Sequence, residues 1–80
     1  MNAFTGQNFQ MHKLIGIKQV VECTCLSRST IYEIMNEKSP YYDPTFPKKI
    51  KMTQNRICWS ALEINQWIEI KLANRELNEI

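Results

Sequence analysis

Three prolines within eight residues, Pro40, Pro44 and Pro47, divide this chain into two parts. A proline ring fixes φ and removes a backbone donor, so neither a helix nor an inner strand can run through this stretch. Lys38–Pro47 (KSPYYDPTFP) is therefore a loop, and all regular structure must form in its two flanks. A chain of 80 residues makes one domain with a thin core. Its 44% hydrophobic and 22% charged composition excludes a disordered chain, which is poorer in apolar side chains.

Ahead of the loop, Leu14-Ile15-Gly16-Ile17 reads as a short extended lead-in. Ile17, Val20 and Val21 then repeat at helical spacing, predicting a helix from Ile17 to Cys23. Ser27 is a good N-cap, because its hydroxyl can accept from the free N–H groups of the next turn. Ile31, Ile34 and Met35 follow at i, i+3, i+4 spacing and predict a second helix from Arg28 to about Asn36. The four residues Thr24–Ser27 between them match the junction of a helix-turn-helix.

Behind the loop, Ile50 and Met52 alternate with Lys49 and Lys51, and Ile57 and Trp59 alternate with Arg56 and Cys58. Two period-2 runs around Thr53-Gln54-Asn55 predict a β-hairpin, with Asn55 suited to a left-handed position. Ser60 and Glu63 form a capping-box pair that starts a helix running to about Arg75. Ala61, Ile64, Trp67, Ile68 and Leu72 share its inward arc, while Leu62 and Ile70 fall outside. Trp59 and Trp67 are expected in the core rather than stacked on bases, and Tyr41, Tyr42 and Phe46 are expected to lay part of the loop upon it, with nucleic-acid contact the alternative for the two tyrosines. The domain is expected over residues 13–76, with a flexible arm at 1–12 and a tail at 77–80. The fold class is mainly α with a small β-hairpin.

The net charge is only +2, but it is unevenly placed. Phe46–Trp59 carries Lys48, Lys49, Lys51 and Arg56 and no acid, and a one-sided basic segment points to a polyanion partner. In a helix-turn-helix the start of the second helix meets the major groove. Here that start presents Arg28, Ser29, Thr30, Tyr32 and Glu33. Arg28 can pair with guanine or grip a phosphate, the two hydroxyls can bond phosphate or base edges, and Glu33 can accept from cytosine N4. Lys49, Lys51 and Arg56 on the hairpin can hold phosphates, which position a protein while base contacts specify.

Other function classes find little support. The three cysteines, Cys23, Cys25 and Cys58, are odd in number, and Cys23 and Cys25 are too close for a zinc knuckle. The single histidine, His12, has no partner for metal or acid–base chemistry, and there is no glycine-rich phosphate loop. The expectation is a protein that is not an enzyme, with no metal, no cofactor and no small-molecule substrate. No apolar run approaches the ~20 residues of a membrane span. With no signal-like N-terminus, the expected location is the cytoplasm, at the nucleoid.

Leu14-Ile15 leading into a helix, Leu26-Ser27-Arg28-Ser29-Thr30-Ile31-Tyr32, Phe46-Pro47-Lys48, Trp59-Ser60, and Ile64 with Trp67-Ile68 together resemble the AlpA family, over about residues 13–72. These are small phage and prophage transcriptional regulators related to MerR-like excisionases. The resemblance implies a winged helix-turn-helix that binds double-stranded DNA through its second helix and wing. It implies regulation of prophage genes, sometimes with promotion of excision. Two features depart from the family pattern: the wing turns without glycine, and the loop Lys38–Thr45 is longer, with paired tyrosines. The alternatives are an excisionase that bends DNA and recruits an integrase, and a protein-interaction adaptor using Leu62, Ile70 and the tyrosine loop. Self-association on DNA is a further possibility for so short a reading module.

Overall fold

A computed structural model describes residues 11–75. The expected tail at 77–80 and all but Met11 and His12 of the expected arm lie outside the described residues. The element order is β1 (Leu14–Ile15), α1 (Ile17–Thr24), α2 (Arg28–Met35), β2 (Ile50–Thr53), β3 (Arg56–Ser60) and α3 (Ala61–Asn74). This is a mainly α domain with a small antiparallel sheet, as the residue pattern and the family resemblance require. No helix among the described residues is long and apolar enough to cross a membrane.

The helix-turn-helix forms where the spacing places it. Its turn is one residue shorter than expected, because α1 runs on through Thr24. The Thr24 hydroxyl donates back to the Val20 carbonyl at 2.7 Å and accepts from the Leu26 N–H, which turns the chain. Cys25 then ends α1 in the left-handed conformation (φ 63°), and its N–H bonds to the Val21 carbonyl at 3.0 Å. Glycine is the usual residue for this cap, since a Cβ is strained there. Ser27 caps α2, its Oγ accepting from the Thr30 N–H at 3.1 Å.

The lead-in is a strand in its own right. β1 pairs antiparallel with β3, Leu14 opposite Ser60 and Ile15 opposite Trp59, so the sheet has three strands in the order β1-β3-β2. Two residues are too few for period-2 patterning to reveal a strand. The Ala61 N–H also bonds to the Lys13 carbonyl at 2.9 Å, fastening β1 to the start of α3.

The hairpin turns on Gln54-Asn55, with Thr53 opposite Arg56. Asn55 is not left-handed: Cys25 alone among the described non-glycine residues has positive φ. The register shifts between Lys51 and Thr53, which leaves Met52 as the extra residue of a bulge. A bulge adds right-handed twist, which lets ordinary turn residues join the two strands without glycine.

Ile15, Val20, Ile31, Phe46, Trp59 and Ile64 form the core, with Trp67, Ile68, Ile34, Met35 and Ala61 packed around it. Ser60 caps α3 by accepting from the Glu63 N–H at 3.2 Å. Leu72, expected on the inward arc, is 51% exposed, because it borders an open groove beside Cys23, Thr24 and Leu26 rather than the core. Trp59 is fully buried, and its indole N–H finds no partner among the described residues. Its value is thus shape and area, offset by about 1–3 kcal/mol for the unpaired donor.

Two outcomes follow. Trp59→Ala should lose about 3–5 kcal/mol in chemical denaturation, enough to unfold so small a domain. Cys25→Gly should raise stability by up to ~1 kcal/mol, since the left-handed cap no longer strains a Cβ.

Candidate nucleic-acid interface

The outward face of α2 is set by its inward one. Ile31 is fully buried and Ile34 and Met35 pack beside it, so helical geometry turns Ser29, Tyr32 and Glu33 away from the core. Arg28, Ser29, Thr30, Tyr32 and Glu33 are all exposed. The helix therefore presents its first turns, with their free N–H groups, to solvent.

Two of these side chains are already engaged. The Thr30 hydroxyl accepts from the Ser27 Oγ at 2.9 Å, which completes the cap and leaves its own proton free. Glu33 Oε1 accepts from the Ser39 hydroxyl, and Ser39 Oγ accepts in turn from the Tyr41 N–H at 3.1 Å. Glu33, read from sequence as an outward acceptor for a base, is thus also a tie between α2 and the loop. The partner lies in the proline-bounded stretch, where no periodicity signals it.

Lys49 lies beside α2. It lines one groove with Tyr32, Met35, Asn36, Glu37 and Lys38, so the root of the wing meets the C-terminal end of the second helix, and of the outward residues expected to read DNA only Tyr32 borders that groove. Lys38 is a basic neighbour that sequence reasoning left out. The signal available was its position just past the end of the helix.

Lys51 and Arg56 are exposed farther along the ribbon. Lys51 pairs with Ile57 and Thr53 with Arg56. Directly opposed residues share a face and neighbours along a strand alternate, so Lys51 and Arg56 project from opposite faces of the ribbon. The bulge at Met52 produces this arrangement, and simple alternation on each strand does not reveal it.

The loop is held in place by one carboxylate. Asp43 Oδ1 accepts from the Thr45 N–H and hydroxyl at 2.8 and 2.5 Å. Its Oδ2 accepts a long bond from the Trp67 Nε1 at 3.4 Å and lies 3.7 Å from Lys71 Nζ. The Asp43 N–H donates to the Ile34 carbonyl at 2.8 Å. Trp67 meets Phe46 edge-on at 5.0 Å, with Lys71 above its ring. Trp67 is thus the half-buried post that ties the loop to α3, while Trp59 is the deeper core residue. Partial burial pushes the Asp43 carboxyl upward. The two Thr45 bonds, the Lys71 charge and the Trp67 N–H outweigh that and hold it below its ordinary value of 3.8.

These features match a known family. The model for the prophage CP4-57 regulatory protein (AlpA) covers residues 13–72, three quarters of the chain. The chain belongs to the AlpA family. A relative from Escherichia coli (strain K12), the DNA-binding transcriptional activator AlpA, is 38% identical over 56 residues, which span 70% of this chain and 80% of the relative. No solved structure matches the chain.

The loop lock at Asp43 has a signed pH dependence. A folded-state pKa below the unfolded one gives stability that is present above the unfolded value and is lost as pH falls through the folded one. In pH-dependent denaturation, wild type should lose stability below about pH 4, the ordinary carboxylate range. Asp43→Asn should be less stable at neutral pH and flatter through that window. Equal acid sensitivity in both proteins would contradict the role given to Asp43.

Proposed function

We propose that this chain is a sequence-specific DNA-binding transcriptional regulator of prophage type, reading the major groove with α2 and gripping phosphates with the wing. One observation carries the proposal: Tyr32, on the exposed face of α2, and Lys49, at the root of the wing, border the same groove. A duplex laid on that surface meets both at once. Family membership agrees, since the Escherichia coli relative is a DNA-binding transcriptional activator.

The roles divide by chemistry. Arg28 reads guanine or holds a phosphate, and Ser29, Thr30 and Tyr32 bond base edges or backbone. Glu33 keeps free lone pairs for a cytosine N4 while it holds Ser39. Lys49 and Lys51 neutralise phosphates. Arg56 sits beside the wing's turn on the other face, where a ribbon tip entering a groove is touched from both sides. Double-stranded DNA is the partner, and the work is recognition rather than catalysis. Leu62 and Ile70 are exposed, as an adaptor surface requires, but nothing among the described residues marks a partner for them.

The test begins with selection of duplexes from a random-sequence pool by the full chain. Binding to the selected duplex should weaken with salt along a straight line in log–log form, with a slope of about −0.9 per phosphate engaged. Lys49→Ala should weaken binding to all duplexes alike and reduce that slope by about one. Arg28→Ala should cost about 1–3 kcal/mol and relax preference at one base pair if it reads a base. Failure to enrich any duplex, or a flat salt response, contradicts the proposal.

A further inference from the structure

Tyr41 is 70% exposed, whereas Tyr42 beside it and Phe46 beyond it turn inward. The exposure does not reflect a loose backbone. The Tyr41 N–H is held by Ser39 Oγ, the Tyr42 N–H by the Ser39 carbonyl at 3.1 Å, and the Asp43 N–H by the Ile34 carbonyl of α2. Glu33 grips the same Ser39 hydroxyl. Pro40 restricts the chain just ahead. A large amphipathic side chain is thus mounted outward on a segment bonded to α2 at two points.

Its position relative to α2 is what matters. Two open grooves of similar volume, about 410 and 420 Å³, run along the two sides of the helix's exposed ridge. One lies between Tyr32 and Lys49, on the side of the wing. The other lies between Ser29, Thr30, Glu33 and Tyr41, on the side of the loop. A helix in the ~12 Å major groove has a sugar–phosphate strand along each flank. The wing side offers lysine to one strand.

We propose that Tyr41 contacts the other strand, its hydroxyl donating to a phosphate and its ring lying on the adjoining sugar. This rests on the DNA-binding reading above and extends it: the proline loop is a third DNA-contacting element, opposite the wing across the recognition helix. Such a contact fixes how deeply and at what angle α2 enters the groove. It adds affinity without base preference, because phosphate contacts position rather than specify. Tyrosine is uncharged and releases no counterion, so it leaves the salt slope unchanged.

The test uses the full chain and a duplex it selects from a random pool, with ethylation interference to map phosphate contacts. Tyr41→Phe removes one oxygen from an exposed site, so its thermal unfolding should match wild type. Its affinity should fall about tenfold, the worth of one hydrogen bond to a charged group at the low end. One phosphate on the strand opposite the lysine-contacted one should lose its interference, while the other contacts and the salt slope stay as they were. Tyr41→Ala should lose more affinity and keep the same base preference. If Tyr41→Phe binds as wild type with an unchanged interference map, the loop contact is wrong while the wing and α2 assignments stand. If the wild-type chain enriches no duplex, both readings fall together.

Discussion

Burial of Trp59 is the constraint on which the rest of this structure depends. It stands on the central strand of the sheet, opposite Ile15 of β1, in a core shared with Val20 of α1, Ile31 of α2, Phe46 of the loop and Ile64 of α3. β1, all three helices and the loop thus each contribute a residue to the cluster built around this indole. The next residue, Ser60, ends the strand and caps α3. Position Trp59 correctly and the directions of the wing and the last helix follow within two residues. An unpaired indole donor is tolerated there because the buried area outweighs it.

That arrangement leaves the exposed face of α2 free. A thin domain has few ways to hold an eight-residue helix, and here one buried isoleucine, Ile31, sets its rotation. With Ile31 inward, the Ser29–Tyr32–Glu33 ridge faces solvent. The proline loop then acts as a brace. It is fastened to α2 through Glu33 and Ile34 and to α3 through Asp43, Trp67 and Lys71. The ion pair contributes little by itself, since Lys71 is exposed and the separation is long. The hydrogen-bonded carboxylate and the edge-on Phe46–Trp67 contact carry more of the brace.

Much of this was legible because local chemistry and global fold agree. Ser27 and Ser60 cap the helices that follow them, and the apolar spacing in α2 and the first half of α3 marks the faces that are buried. Where the reading missed, the missing information was non-local. β1 is a strand only because β3 accepts it. Met52 sits in a bulge, so the two strands do not share one simple alternation. Leu72 has the periodicity of a core residue but borders an open groove with Cys23, Thr24 and Leu26. Glu33 looks like a free acid until the loop returns Ser39 to it.

The sequence by itself determined the family, the order of elements, the two serine caps and the identity of the side chains that α2 turns outward. These depend on periods of 2 and 3.6 residues and on hydroxyls three residues from the N–H groups they serve, all within reach along the chain. Only the tertiary structure decided which elements flank that helix: Lys49 along one side, Tyr41 along the other, and Lys51 and Arg56 on opposite faces of the wing. Those relations are made by the pairing of distant strands and by a loop bonded across space, and no repeat in a linear sequence encodes them.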